Sequence, residues 1–455
     1  MYNQLILPDL QMMLRENDAQ GLREFCEALY PVVSAEILEG LEAKQIWQVL
    51  SNCDVERQGE IFGFISLPRQ VELIDAIDRK RLAKLIEEMA PDDRVDLLSR
   101  LEKDRIENLL PLVAQAERSD IRKLLSYPED SAGSIMTTEY ASLPADITVG
   151  EALLEHLRKQ APDSETIYYV YIIDEGRRLQ GFVSLRELVL APRETAVSEI
   201  MTKDVISVRV EDDQEIVAQE LAKFDFLAIP VVDRQNQLVG IVTHDDAMDV
   251  VQQEATEDAH LMGAVYPLED SYLQTPLKTL FWKRGIWLML LAGVALVNAD
   301  VLKHYPTAAK NYVWMILFLP LVLASGGNAG SQSATLIIRA MALRNMSRKE
   351  NIGMIVKEIQ VGLFLGLCLA GIGFVAAVYW FHRTSLESSV VASTVLIVVI
   401  LGTLYGALLP LTLRKFGMDP AIMSNPLIAS IMDISGVVIY FNVALWILGV
   451  LVKDS

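Results

Sequence analysis

Five long apolar stretches, near residues 285–302, 312–341, 353–381, 389–413 and 422–452, fill the C-terminal part of the chain. Each reaches or approaches the roughly 20 residues that an α-helix needs to cross the hydrocarbon of a bilayer. With no water available there, backbone N–H and C=O groups must pair within the segment, and a helix does this. The chain is therefore committed to a helical membrane domain. Its last stretch also carries a carboxylate, Asp433, near mid-span. Such a charge costs about 2.5–3.5 kcal/mol on insertion scales and belongs beside a partner or a water-filled path. No basic residue lies between Asp419 and Lys453, so its own helix supplies no partner. A cation in transit is the partner this pattern favours, and the alternative of an anion path is disfavoured by the lack of basic residues along it.

Charge divides the chain in two. Residues 1–270 hold 53 acidic against 26 basic residues, a net of −27, whereas residues 271–455 hold 7 against 14, a net of +7, giving the chain's −20. An acid surplus excludes a nucleic-acid footprint, which is basic. It suits cations, and it also suits simple solubility. Met1 to Leu14 lacks a basic stretch followed by an apolar core, so the acidic half is expected to stay cytosolic. Cys26, Cys53 and Cys368 have no metal-ligand spacing and read as reduced structural thiols.

Residues 1–130 read as an all-α helical repeat. Apolar positions three and four apart recur in Glu72–Asp78, Leu82–Ile86, Val95–Leu98 and Ile106–Leu110, with breaks at Pro68, Pro91 and Pro111. The start Pro91-Asp92-Asp93 suits a helix N-terminus, where the dipole favours negative charge.

Residues 131–250 contain an internal repeat. Ile135-Met136-Thr137 returns 65 residues later as Ile200-Met201-Thr202. Each copy leads to a β-rich run, Tyr168–Asp174 then Leu179–Ser184 in the first and Leu227–Asp233 then Leu238–Thr243 in the second. The order resembles an α/β tandem pair of CBS domains, regulatory modules that bind adenine nucleotides or metal ions. That resemblance implies a ribose-holding Ser/Thr with an acid three residues on: Thr243 with Asp246, and Ser184 with Glu187, where Glu replaces the usual Asp. Tyr169, Arg186 and Phe226 are the further residues it assigns to a nucleotide site, and ATP is the ligand it allows. The same Ser and Thr positions also suit plain helix N-caps.

Residues 251–282 read as a linking helix into a membrane domain over 283–455. Arg339, Arg344, Arg348, Lys349 and Lys357 flank one loop, Arg414 and Lys415 precede the last span, and the intervening loop has only Arg383. The positive-inside rule places the N-terminus in the cytoplasm and the C-terminus outside. Within the second span, Gly326, Gly327, Asn328 and Gly330 allow either close helix packing or local unwinding beside a hydrated path. Asn425 and Pro426 lie eight and seven residues before Asp433, roughly two turns, so they return to its face, and Asn425, Ser430 and Asp433 are candidates for an oxygen-lined path. Oxygen ligands without His or Cys suit a hard cation such as Mg2+ or Ca2+.

Acidic helical domain, CBS pair, linking helix and five spans together resemble the MgtE-type magnesium channels and transporters over essentially the whole chain. The specific pieces are Gly326–Gln332, Asp419-Pro420-Ala421 and Pro426 through Gly436, with Ser331 departing from the longer amide common in relatives. The resemblance implies a homodimer in a bacterial-type inner membrane, with Asp433 from both chains around Mg2+ in a pore that Asp419 also serves. It further implies regulatory Mg2+ ligands at Glu60, Asp92 and Asp96, at Glu215, Asp225, Asp246 and Asp249, and at Glu254, Glu257 and Asp258, whose occupation closes the pore. A transporter of Mn2+ or Co2+ and a non-transporting metal sensor stay as alternatives. An enzyme is disfavoured, because His156, His244, His260, His304 and His382 are scattered and form no nucleophile–base pair.

Overall fold

A computed structural model describes residues 2–268, 272–273, 275–305, 312–343 and 347–449. The chain divides into two compact units, Met1–Val251 and Gln252–Ser455.

The first unit opens with ten α-helices, from Tyr2–Glu16 to Gln115–Leu124. Prolines start helices here: Pro68 sits in the first turn of Leu67–Asp75 and Pro91 opens Pro91–Ser99, where a missing N–H does no harm. Of the apolar positions read from sequence, Leu82, Leu85, Ile86, Leu97 and Leu98 are buried in one core, Val95 is buried in another, and Ile77 and Ile106 are half-buried. Arg94 is buried as well. It donates to the Glu117 carboxylate at 2.6 Å and to the carbonyls of Glu87 and Met89.

Two three-stranded sheets follow. The first has β1 (Tyr140–Leu143), β2 (Thr166–Ile173) and β3 (Leu179–Ser184), and the second has β4 (Val208–Arg209), β5 (Ala228–Val232) and β6 (Leu238–Thr243). In each, the first strand is parallel to the second and the second antiparallel to the third. The two turns are twins. Asp174 Oδ1 accepts from the N–H groups of Gly176 and Arg178, and Asp233 Oδ1 accepts from those of Gln235 and Gln237. The repeated Met-Thr serves the opposite repeat. Thr202 exchanges both backbone hydrogen bonds with Phe182 of β3, and Thr137 does the same with Ile241 of β6. A Cβ at Gly181 would stand 2.8 Å from the Thr202 carbonyl oxygen, and one at Gly240 2.8 Å from that of Thr137. Only glycine permits these approaches.

Helix His244–Met262 leaves the second repeat, and the expected single linking helix over 251–282 is not what forms. The helix ends at Met262, Ala264 takes a positive φ of 56°, and among the described residues the next helix begins at Leu277. Residues 269–271 and 274 of that linking stretch lie outside the described residues. Among the described residues of the second unit, five helices are long and apolar enough to cross a membrane: Leu277–Lys303, Trp314–Leu343, Arg348–Val375 with its π-turn Ala376–Trp380, Ser385–Lys415 and Asn425–Leu448. The first starts eight residues before the expected 285. The last follows a separate 3-10 turn, Pro420–Ile422, rather than starting at 422, and residues 450–452 of its expected end lie outside the described set, as does Arg344.

The glycines of the second membrane helix act through packing. The helix runs unbroken from Trp314 to Leu343, so the unwinding considered for residues 326–330 does not occur. Gly326 and Gly330 face Gly402 and Gly406 of the fourth helix, four apart on each side. A Cβ on Gly402 would lie 2.5 Å from the Gly326 carbonyl oxygen. Without side chains between them the two backbones touch, the arrangement small-xxx-small motifs make in membranes.

Candidate cation path and acidic cluster

Asp433 lies on the last membrane helix, between a buried face of Ile428, Met432, Gly436 and Tyr440 and open surroundings. Its carboxylate is half-buried, and among the described residues no charged or hydrogen-bonding side chain reaches it. Ser430, one turn earlier, is likewise half-buried. At the start of this helix Asn425 is tied to the second helix: Ser331 Oγ donates to its carbonyl at 3.1 Å, and Thr335 Oγ1 lies 3.3 Å from its Oδ1. Ser331, shorter than an amide, thus contacts backbone where a longer side chain would reach further. Asp419 caps the preceding 3-10 turn, accepting from the Ala421 N–H at 2.8 Å. Asn328 and Gln332 project from the second helix into open surroundings, four residues apart and on one face.

In the first unit Asp92, Asp93 and Asp96 form one group with Asp246, Asp249 and Glu165. Burial, then the Asp246 and Asp93 charges, holds the Asp92 carboxyl well above the usual range. Asp93 is pushed up to about 6 by burial and by Asp96 and Asp246. Burial and Asp246 push Asp96 to about 6 as well, against the opposing charge of Arg100, although its edge remains open to solvent. Burial also raises Asp246, opposed by hydrogen bonds from Thr243 and from Asp92. The second unit holds a smaller group. Asp258 is pushed up to about 6 by burial and by Asp419 and Glu254, with Arg339 opposing.

Other expected residues stand apart. Glu60 is paired with Arg57 at 2.5 Å. Glu215 receives Gln219 Nε2 at 3.2 Å, and Asp225 forms the left-handed end of helix Gln214–Phe224. Glu257 lies on helix His244–Met262 with Glu254. Among the described residues no three Asp, Glu, His or Cys side chains close around a single point as a metal cage would. The donor set nevertheless fits a hard divalent cation: it is all oxygen, Asp92, Asp93 and Asp246 are half-buried, and neighbouring negative charge adds to the burial that raises Asp92, Asp93 and Asp96. Sequence reasoning misses Asp93 and Glu165. The doubled acid in Pro91-Asp92-Asp93 is the available signal for the first, whereas Glu165 joins only through folding.

The nucleotide motif is occupied by caps. Ser184 and Glu187 make a reciprocal capping box, with Ser184 Oγ donating to Glu187 at 2.7 Å, and Thr243 Oγ1 bonds Asp246. Arg186 is exposed beside the first of these. Tyr169 packs edge-on to Phe182 and Phe226, at 5.5 and 6.3 Å between centroids. Tyr171, Ile206 and Pro230 complete this aromatic pocket, which has only about 10 Å3 of free room.

Three family models match along the chain. "MgtE intracellular N domain" covers residues 29–130, "CBS domain" 132–194 and 197–253, and "Divalent cation transporter" (MgtE) 319–443. The Magnesium transporter MgtE of Thermus thermophilus is 38% identical over 96% of this chain and 97% of its own length. The chain belongs to the MgtE family. The Magnesium transporter MgtE of Bacillus subtilis is 32% identical, covering 97% of both chains. Among solved structures, the soluble part of a magnesium transporter matches with a TM-score of 0.53 at 34% identity, covering 56% of this chain and 99% of that one. The cytosolic domain of the Mg2+ channel MgtE in complex with ATP matches at 0.51 and 38% identity, covering 54% and 99%. With its five apolar helices, this MgtE protein is a multi-pass membrane protein of a transporter family.

Proposed function

We propose that this chain is a Mg2+ channel or transporter that its own acidic cytosolic part closes when Mg2+ is plentiful. The single observation carrying the transport reading is Asp433: a carboxylate at mid-helix, half-buried and without a protein partner among the described residues. The relatives' names supply the ion. In a homodimer the open face bearing Asn328 and Gln332 would meet its symmetry mate, so polar groups costly against lipid would line a shared path. Asp433 from each chain then stands near the other. Two carboxylates around a largely hydrated ion suit Mg2+, which dehydrates reluctantly. Gly326, Gly327 and Gly330 shape that path by bringing helices together, while Asn425, Ser430 and Asp419 stand near its ends.

Basic residues at Lys283, Arg284, Arg339, Arg348, Lys349, Arg414 and Lys415 support a cytoplasmic N-terminus and an outer C-terminus. Inward passage of a divalent ion is then favoured by about 4.6 kcal/mol per 100 mV of membrane potential. Asp92, Asp93, Asp96, Asp246 and Asp249 act as the sensor. Their mutual repulsion opposes closure between the helical domain and the CBS pair, and neutralisation permits it. Each tenfold preference for the closed form shifts the balance by about 1.4 kcal/mol. Glu60, Glu215 and Asp225 of the first unit, and Glu254, Glu257 and Asp258 of the second, are further regulatory ligands in this reading. ATP at the CBS pair requires the aromatic pocket to open and the Thr243–Asp246 bond to yield to a ribose.

The test is Mg2+ uptake into proteoliposomes by the wild type and Asp433→Ala, with Mn2+ and Co2+ in parallel. Wild-type flux that disappears in the variant supports the reading. Undiminished flux in Asp433→Ala overturns it, and preference for Mn2+ or Co2+ would replace the assigned ion.

A further inference from the structure

The acidic helical domain contains a cationic cleft that the transport reading does not use. It has about 420 Å3 of room, within the roughly 300–1,000 Å3 typical of small-molecule sites. Trp47, Val55, Ala76 and Ile77 give it an apolar wall, while Arg81 and Lys84 stand at its edge. The wall is pre-formed. Trp47 Nε1 donates to the Leu73 carbonyl at 2.8 Å, and its ring stacks on Phe62 with centroids 5.7 Å apart. Asp78, the acid of the lining, is engaged: its Oδ1 accepts from the Lys80 N–H at 2.9 Å and its Oδ2 lies 3.7 Å from Arg81 Nε.

The helix bearing these cations, Arg79–Glu88, begins Arg79-Lys80-Arg81 and adds Lys84, all four exposed, inside a region whose net charge is strongly negative. Screening over about 8 Å at physiological salt confines the surrounding acid field, so an anion at the cleft meets these cations first. An arginine and a lysine beside an aromatic wall match a flat apolar body carrying an anionic head.

We propose that this cleft binds a small organic anion, with its aromatic body against Trp47 and Ile77 and its phosphate, sulfonate or carboxylate head at Arg81 and Lys84. The test uses full-length protein in lipid nanodiscs, titrated calorimetrically with 1-naphthyl phosphate, 1-naphthoate, inorganic phosphate and 1-naphthol, with empty nanodiscs subtracted. The wild type should bind 1-naphthyl phosphate or 1-naphthoate about tenfold or more tightly than phosphate or naphthol alone, and the stronger of the two names the head group. Arg81→Glu with Lys84→Glu, both surface positions, should weaken that binding by about tenfold or more. Trp47→Leu should weaken both aromatic anions alike. Equal binding by the wild type and the double variant overturns the proposal, as does equal binding of naphthol and naphthyl phosphate.

Discussion

Asp92, in the first turn of helix Pro91–Ser99, lies within hydrogen-bonding reach of Asp246, the acid that Thr243 also holds. Burial holds both carboxyls above the ordinary range; the Asp246 charge raises Asp92 further and Asp245 raises Asp246, while the bond from Asp92 opposes the rise at Asp246. Their neighbours Asp93 and Asp96 follow, each at about 6. The sign follows from linkage. Raised groups hold protons longer in the packed form, so packing bears no ionisation cost below the ordinary carboxylate pKa of about 4 and the full cost above about 6. Metal-free protein should therefore show stronger protease protection between the helical domain and the CBS pair near pH 5 than near pH 7.5. Protection that is flat across this range contradicts the coupling.

Asp93→Asn tests the same field from one position. The rise of its carboxyl from 3.8 to about 6 corresponds to about 3 kcal/mol at most, and partial solvent contact reduces that to roughly 1–2 kcal/mol. Without divalent cations at neutral pH the variant should melt higher than the wild type. Added Mg2+ should then raise its melting temperature by less than it raises the wild type's. A variant that melts lower in metal-free buffer would show that Asp93 contributes more by bonding than by repulsion.

Arg94 presents the opposite case, a buried cation whose two terminal nitrogens are held by Glu117 and two backbone carbonyls. Arg94→Met strands the Glu87 and Met89 carbonyls while Glu117 keeps its access to water, and leaving buried acceptors unpaired costs about 1–3 kcal/mol. Chemical denaturation of the soluble region, or loss of folded full-length protein on expression, measures it. A change within a fraction of a kcal/mol would mean that the acceptors find water instead.

The architecture is legible in the sequence because its signals are long: five apolar runs, a 65-residue repeat, and prolines at helix starts. Residue-level reading fails where the deciding contact is distant in the chain. Met136-Thr137 and Met201-Thr202 announce the repeat, yet each lies against the other repeat's glycine, Gly240 and Gly181. Glu165 carries no local mark of its place beside Asp246. A polar pattern that continues through Gly263 suggests one unbroken linking helix, although that glycine and Pro267 are visible stop signals. For Gly326 and Gly330, spacing allows packing or unwinding, and the partner glycines on the fourth helix decide for packing.

That glycine crossing gives the sharpest contrast between positions. A side chain at Gly402 meets the Gly326 backbone, which cannot swing aside as a flexible side chain can. Gly402→Leu should cost at least the roughly 1–3 kcal/mol of ordinary overpacking and separate the second helix from the fourth. At Gly293, in the first membrane helix, an added Cβ would meet nothing within 4 Å, so Gly293→Ala should be neutral or stabilising by up to about 1 kcal/mol. Thermal unfolding of both variants in detergent compares them directly. Because Asn425 reaches the second helix through Ser331 and Thr335, Gly402→Leu should also reduce Mg2+ flux per folded protein, whereas Gly293→Ala should leave it unchanged. Equal stability of the two variants would show that the crossing is looser than the Gly326–Gly402 approach implies.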